Sequence, residues 1–145
     1  MKKSIIMIIF SIIIGILFTF FVLNKENTYA KEEYLVYAFQ VGAFEKEENA
    51  IEYSKKLPTS IVIREDNLYK IYIAIYKDID IINQMVVFFE NQNINIYLRN
   101  IKANRNFYKL LENYEKLIKE SKEKNIYNKV NQSILNSYLE SVNYE

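Results

Sequence analysis

The sequence predicts an α+β domain with a split β-α-β-β-α-β order, in which two helices cover one face of a four-stranded antiparallel sheet (a ferredoxin- or RNP-like arrangement). Three observations predict it. Tyr34 to Leu57 opens with alternating apolar residues, turns at Gly42 and closes with helical periodicity. Two β-branched and aromatic runs, Ser60 to Glu65 and Leu68 to Tyr76, flank Asp66-Asn67, which reads as a hairpin turn. A further apolar run, Ile94 to Ile101, follows a second helical pattern.

The first strand, Tyr34 to Val41, sets Leu35, Tyr37, Phe39 and Val41 on one face and Tyr34, Val36, Ala38 and Gln40 on the other. Apolar residues on both faces suit a central strand. Gly42 is placed where a sharp turn leaves only Gly unhindered. Glu45 to Leu57 reads as a helix, with Glu45, Glu47 and Glu48 favouring its N-terminal end and Lys55 and Lys56 its C-terminal end. Ala50, Tyr53, Ser54 and Leu57 form its expected buried stripe, and Pro58 stops it.

In the hairpin's second strand, Tyr69, Ile71, Ile73 and Ile75 make the core face, and Leu68, Lys70, Tyr72 and Ala74 the other. Asp78 or Asp80 caps a second helix running to about Asn91, with Ile81, Ile82, Met85, Phe88 and Phe89 as its apolar side. The fourth strand, Ile94 to Ile101, sets Ile94, Ile96 and Leu98 against Asn95, Tyr97 and Arg99. Residues 104–145 show no strand pattern. Phe107, Leu111, Tyr114 and Ile118 form one stripe, and Tyr127, Val130, Ile134 and Tyr138 another, predicting a helical C-terminal extension of two amphipathic helices. These helices either pack back on the domain or serve a protein partner or self-association.

Ahead of the domain, Lys2 and Lys3 precede an uncharged apolar run from Ser4 to Leu23. About 20 such residues suffice to cross a bilayer as a helix. Charge on the short N-terminal side puts that end in the cytoplasm and the domain outside. A cleaved signal peptide, ending at Thr28-Tyr29-Ala30, is the competing reading. The division is therefore an anchor over 1–23, a linker over 24–33, the domain over 34–103 and the extension over 104–145.

Composition removes several functions. Taking Lys2 and Lys3 from the 19 basic residues leaves 17 against 18 acidic ones, a net charge of −1 beyond the apolar run. That offers no electrostatic footprint for nucleic acid. The chain has no Cys and no His, so it folds without disulfides and lacks Ser-His, Cys-His and His-ligated zinc chemistry. No cofactor, metal site or catalytic residue is expected. Asp66, Asp78 and Asp80 fall at turns and caps, where structural roles come before the paired-carboxylate chemistry of a glycosidase.

Gln40-Val41-Gly42-Ala43-Phe44, followed by Glu47-Glu48-Asn49-Ala50 and Lys55-Lys56-Leu57, resembles the opening strand and helix of the SPOR (sporulation-related) domain family. The resemblance spans about Tyr34 to Ala103. It implies a non-catalytic module that binds peptidoglycan glycan strands in the cell envelope, in division or sporulation, through an open sheet face. Gln40 stands where the family has a ligand-contacting Gln. Leu68 and Lys70 stand where some members carry an aromatic residue and an Arg, and Tyr97 lies near a further contact position. Ala43 replaces the family's Ser, and Ala74-Ile75-Tyr76 stands where Gly-Pro-Phe is common. Tyr72 supplies a stacking ring on the same face. The expected glycan site is thus Gln40, Leu68, Lys70, Tyr72 and Tyr97, with an interaction scaffold that has lost glycan binding as the alternative.

Overall fold

The computed structural model describes residues 33–121 and 123–143. The expected anchor and nearly all of the linker lie outside the described residues. Among the described residues no helix is long and apolar enough to cross a membrane. The elements run β1 (Tyr34–Phe44), α1 (Glu47–Ser54), β2 (Ile61–Glu65), β3 (Leu68–Tyr76), α2 (Ile79–Glu90), β4 (Tyr97–Ala103), α3 (Arg105–Glu120) and α4 (Tyr127–Asn143), with a 3-10 turn at Lys124–Ile126 before α4. The sheet order is β2-β3-β1-β4 and every pairing is antiparallel. This is the predicted α+β arrangement with two further helices packed onto it.

Gly42 is not a turn. It lies within β1 opposite Ile71, and its φ is not positive. The register of β1 against β3 is irregular on either side of Gln40, so the strand passes Gly42 and ends at Phe44. A Cβ on Gly42 would sit 2.8 Å from Cε2 of Phe44. The missing side chain leaves room for that ring, which packs on Tyr53 of α1 with centroids 5.6 Å apart.

α1 is shorter than its charge pattern suggests. Pro58 holds Leu57 away from helical backbone, and the N–H groups of Lys56 and Leu57 close tight turns onto the carbonyls of Tyr53 and Ser54. Only Ala50 of the expected stripe is buried. The β2–β3 turn follows local chemistry: Asp66 and Asn67 both take positive φ, 51° and 63°, the combination whose twist matches flanking strands. Asp78 caps α2, its Oδ1 accepting from the N–H groups of Asp80 (3.0 Å) and Ile81 (3.3 Å).

β4 begins three residues later than expected. Ile94 closes α2, donating its N–H to the Phe89 carbonyl at 3.1 Å, and this places Ile94 and Ile96 before the strand. Ile101 and Ala103 then turn inward, and Leu98 is exposed.

The C-terminal helices join the same core as the strands, so residues 104–143 belong to the domain instead of extending from it. α3 starts at Asn104, whose Oδ1 accepts from the Phe107 N–H at 2.9 Å. It buries Phe107, Leu111, Ile118 and, where Tyr114 was expected, Glu115. α4 buries Tyr127, Val130, Ile134 and Tyr138 as predicted, with Asn131 and Leu135 beside them. Val130, Ile134 and Leu135 each contribute about 1.5–3 kcal/mol by leaving water. Ile71 through Tyr76 are all buried, and alternate side chains point to opposite faces. Both faces of β3 are therefore covered. Right-handed crossovers place α1 and α2 together on one face, leaving the second cover to α3 and α4.

Candidate binding surface

Gln40 sits at the middle of the expected glycan face. Its cross-strand neighbours are Tyr72 on β3 and Tyr97 on β4, so three of the five expected site residues form one row across the sheet. Lys70 is two residues along β3 from Tyr72. Leu68 stands apart at the start of that strand, half-buried, opposite Glu65.

The row is not open. Gln40 is 7% exposed and Tyr72 1%, against 61% for Tyr97. Burial pushes the Tyr72 phenol well above its ordinary pKa, reinforced by the Glu65 charge and by Tyr138 of α4. The Tyr72 hydroxyl donates to Oε2 of Glu65 at 3.0 Å. Lys70 Nζ donates to the same oxygen at 3.1 Å and to Oδ2 of Asp66 at 2.9 Å. Asp66 above all raises the lysine's pKa. Glu65 is thus the organiser of this corner, and sequence reading passed it over. The signal was available: a two-residue turn places Glu65 opposite Leu68 and so on the Leu68–Lys70–Tyr72 face.

The element above β3 is α4. The Tyr76 hydroxyl donates to Oδ1 of Asn131. Where α4 begins, Gln84 Nε2 donates to the Tyr127 hydroxyl at 2.5 Å, and Phe88 meets the Tyr127 ring edge-on. Two polar atoms of α4, Asn131 Nδ2 and Asn128 Oδ1, are buried without a hydrogen-bond partner.

α3 is fastened at the β3–α2 junction. Glu115 is buried, and its Oε1 accepts from the N–H groups of Lys77 (2.7 Å) and Asp78 (2.8 Å). Lys119 Nζ donates to Asp78 Oδ2 at 2.5 Å, and this bond, ahead of the backbone N–H groups of Ile81 and Asp80, holds the Asp78 carboxyl below its usual pKa. Lys77 pairs with Glu112 at 2.8 Å and lies 3.9 Å from the centroid of Tyr108, which stacks on Tyr34 of β1. The adjoining pocket of about 440 Å³ is lined by these same groups and by Lys116, which pairs with Glu120. Asp66 and Asp78 therefore serve a turn and a cap, and Asp80 is exposed at the start of α2.

A different part of the sheet faces solvent. The regular β1–β4 register sets Leu35 opposite Lys102, Tyr37 opposite Asn100 and Phe39 opposite Leu98. Leu35 (64% exposed), Tyr37 (38%) and Leu98 (45%) thereby share one uncovered face. Beyond them β4 is an edge strand. Alternation puts these residues on the face expected to lie under the two helices, and their exposure shows that the cover stops short of them.

No protein-family model, curated protein or solved structure matches the chain.

Proposed function

We propose that this chain is a non-catalytic interaction module of the cell envelope, built on a SPOR-like fold and held outside the membrane by its apolar N-terminal run. The observation that carries this reading is the burial of Gln40 and Tyr72 beneath the helical layer that contains α4. A glycan is read by amide and hydroxyl hydrogen bonds and by stacking on open rings. Here the Tyr72 ring is covered and its hydroxyl taken by Glu65, and the Lys70 charge is matched by Glu65 and Asp66. The exposed Leu35–Tyr37–Leu98 face is then the surface left for a partner.

One observation favours a second reading, peptidoglycan binding after release of α4. The buried, unpartnered Asn131 Nδ2 and Asn128 Oδ1 weaken the seam, and α4 is the final element of the described chain, so its departure breaks no strand. Purified sacculi, intact or stripped of stem peptides by an amidase, separate the two. The interaction-module reading expects no retention of the full-length chain or of its Leu135→Asp variant on either preparation. Retention of the variant alone on stripped sacculi supports release. Retention of the wild-type chain overturns the interaction-module reading.

A further inference from the structure

The surface that this reading leaves open has a chemical character of its own. β4 is seven residues long, contains neither Gly nor Pro, and keeps an unbroken register with β1 from Tyr34↔Ala103 to Gln40↔Tyr97. A regular edge strand presents a free row of backbone donors and acceptors, the template on which an extended segment adds. Its two faces differ. Leu98 adjoins Tyr37 and Leu35 on one side; Arg99 projects on the other.

Charge is sorted here as well. From Asn91 to Leu111 the chain carries Arg99, Lys102, Arg105 and Lys109 and no acidic residue, although the protein as a whole is nearly neutral. Lys102 pairs with Glu33 across an exposed contact, which is worth little in water. Arg99 and Arg105 make no ion pair with any described residue.

Resting on the interaction-module reading, we propose that β4 binds an extended acidic segment of a partner protein by strand addition. Alternation in that segment sends its apolar side chains to the face of Leu98, where they extend the apolar surface of Tyr37 and Leu35. Its carboxylates go toward Arg99, with Arg105 just past the end of β4 and Lys102 at the far end of the apolar face, opposite Leu35. A second copy of this chain fits poorly, since pairing β4 with β4 brings Arg99 and Lys102 of one strand against the same two cations of the other, and like charges across strands repel. The same cations reject self-pairing and select an acidic partner.

The test uses the full-length chain and two synthetic peptides, one alternating Val and Glu and one alternating Val and Lys. The expected result is slowed amide exchange at residues 97–103 with the Val-Glu peptide alone. Binding should weaken as salt rises. The Arg99→Glu, Lys102→Glu, Arg105→Glu variant, altered only at exposed positions, should bind the Val-Glu peptide about tenfold more weakly and gain affinity for the Val-Lys peptide. Equal binding of both peptides, or binding without protection at 97–103, overturns the proposal. So does a dimer whose β4 amides are protected without peptide, since it makes a second copy the occupant. Absence of protection together with no retention on sacculi removes the acidic-strand proposal and leaves the interaction module standing; retention of wild type on sacculi removes both.

Discussion

The phenol of Tyr76, the last residue of β3, donates to Oδ1 of Asn131 on α4, 55 residues further along the chain. Both side chains are fully buried. At the seam between β3 and α4 this pair fixes where α4 lands, because a one-residue slide leaves both groups unpaired at a cost of about 1–3 kcal/mol each. Tyr76→Phe should therefore destabilise by about 1–3 kcal/mol, and Asn131→Leu by a similar amount, since each strands its partner. The double variant should lie close to wild type, because removing both partners of a buried bond is nearly neutral. Urea midpoints at constant slope measure all three. Additive losses in the double variant would show that the bond does not set the seam.

The same phenol makes stability sensitive to alkali. Burial first, and then the Glu115 charge, raise the Tyr76 pKa far above its ordinary value. An unfolded tyrosine ionises near pH 10, so above that pH the folded chain holds a proton that the unfolded chain has lost. The contribution is fully present below about pH 10 and falls as pH rises toward the folded value, by about 1.4 kcal/mol per pH unit for this group. Unfolding measured from pH 9 to 12 should show a shallower alkaline decline in Tyr76→Phe than in wild type. Parallel curves would remove Tyr76 as its source.

Local chemistry was legible in the sequence, and long-range placement was not. Asp66-Asn67 announced its hairpin because two adjacent positive φ values suit those residues and little else nearby. Asp78 could be read as a cap because its bonds reach only three residues ahead. The fourth strand slipped because Ile94 satisfies the end of α2, a demand that alternation cannot register. The row of Gln40, Tyr72 and Tyr97 was legible, since strand order and hairpin register bring those residues together. Its burial was not. An amphipathic stripe on α4 states that one face will be covered but does not name the surface it covers.

Glu115 shows the same limit from the other side. The stripe of Phe107, Leu111 and Ile118 points to Tyr114 as its fourth member, and a carboxylate is seldom buried without partners. Its partners are the N–H groups of Lys77 and Asp78, both on Oε1, and they come from elements 37 and 38 residues away. Glu115→Ala strands both donors and should cost about 2–5 kcal/mol. Glu115→Gln keeps the accepting oxygen and should cost about 1 kcal/mol. Thermal melts of the two variants check the contrast; equal losses would mean that volume, and not the pair of hydrogen bonds, is what matters there.

Leu135 tests whether α4 comes away by itself. The side chain is fully buried in the apolar core, and a carboxylate in its place would cost several kcal/mol unless the helix leaves. Leu135→Asp should then release α4 while β1 and β3 keep their pairing, since the sheet is closed by its own four strands and α1 and α2. Hydrogen exchange distinguishes the outcomes. Loss of protection confined to residues 127–143, with residues 36–41 and 71–76 still slow, is the expected pattern, and the Tyr72 ring should become accessible with it. Simultaneous loss at 71–76 would mean that α4 and the sheet form one cooperative unit, and the Gln40–Tyr72 row could not open without unfolding the domain.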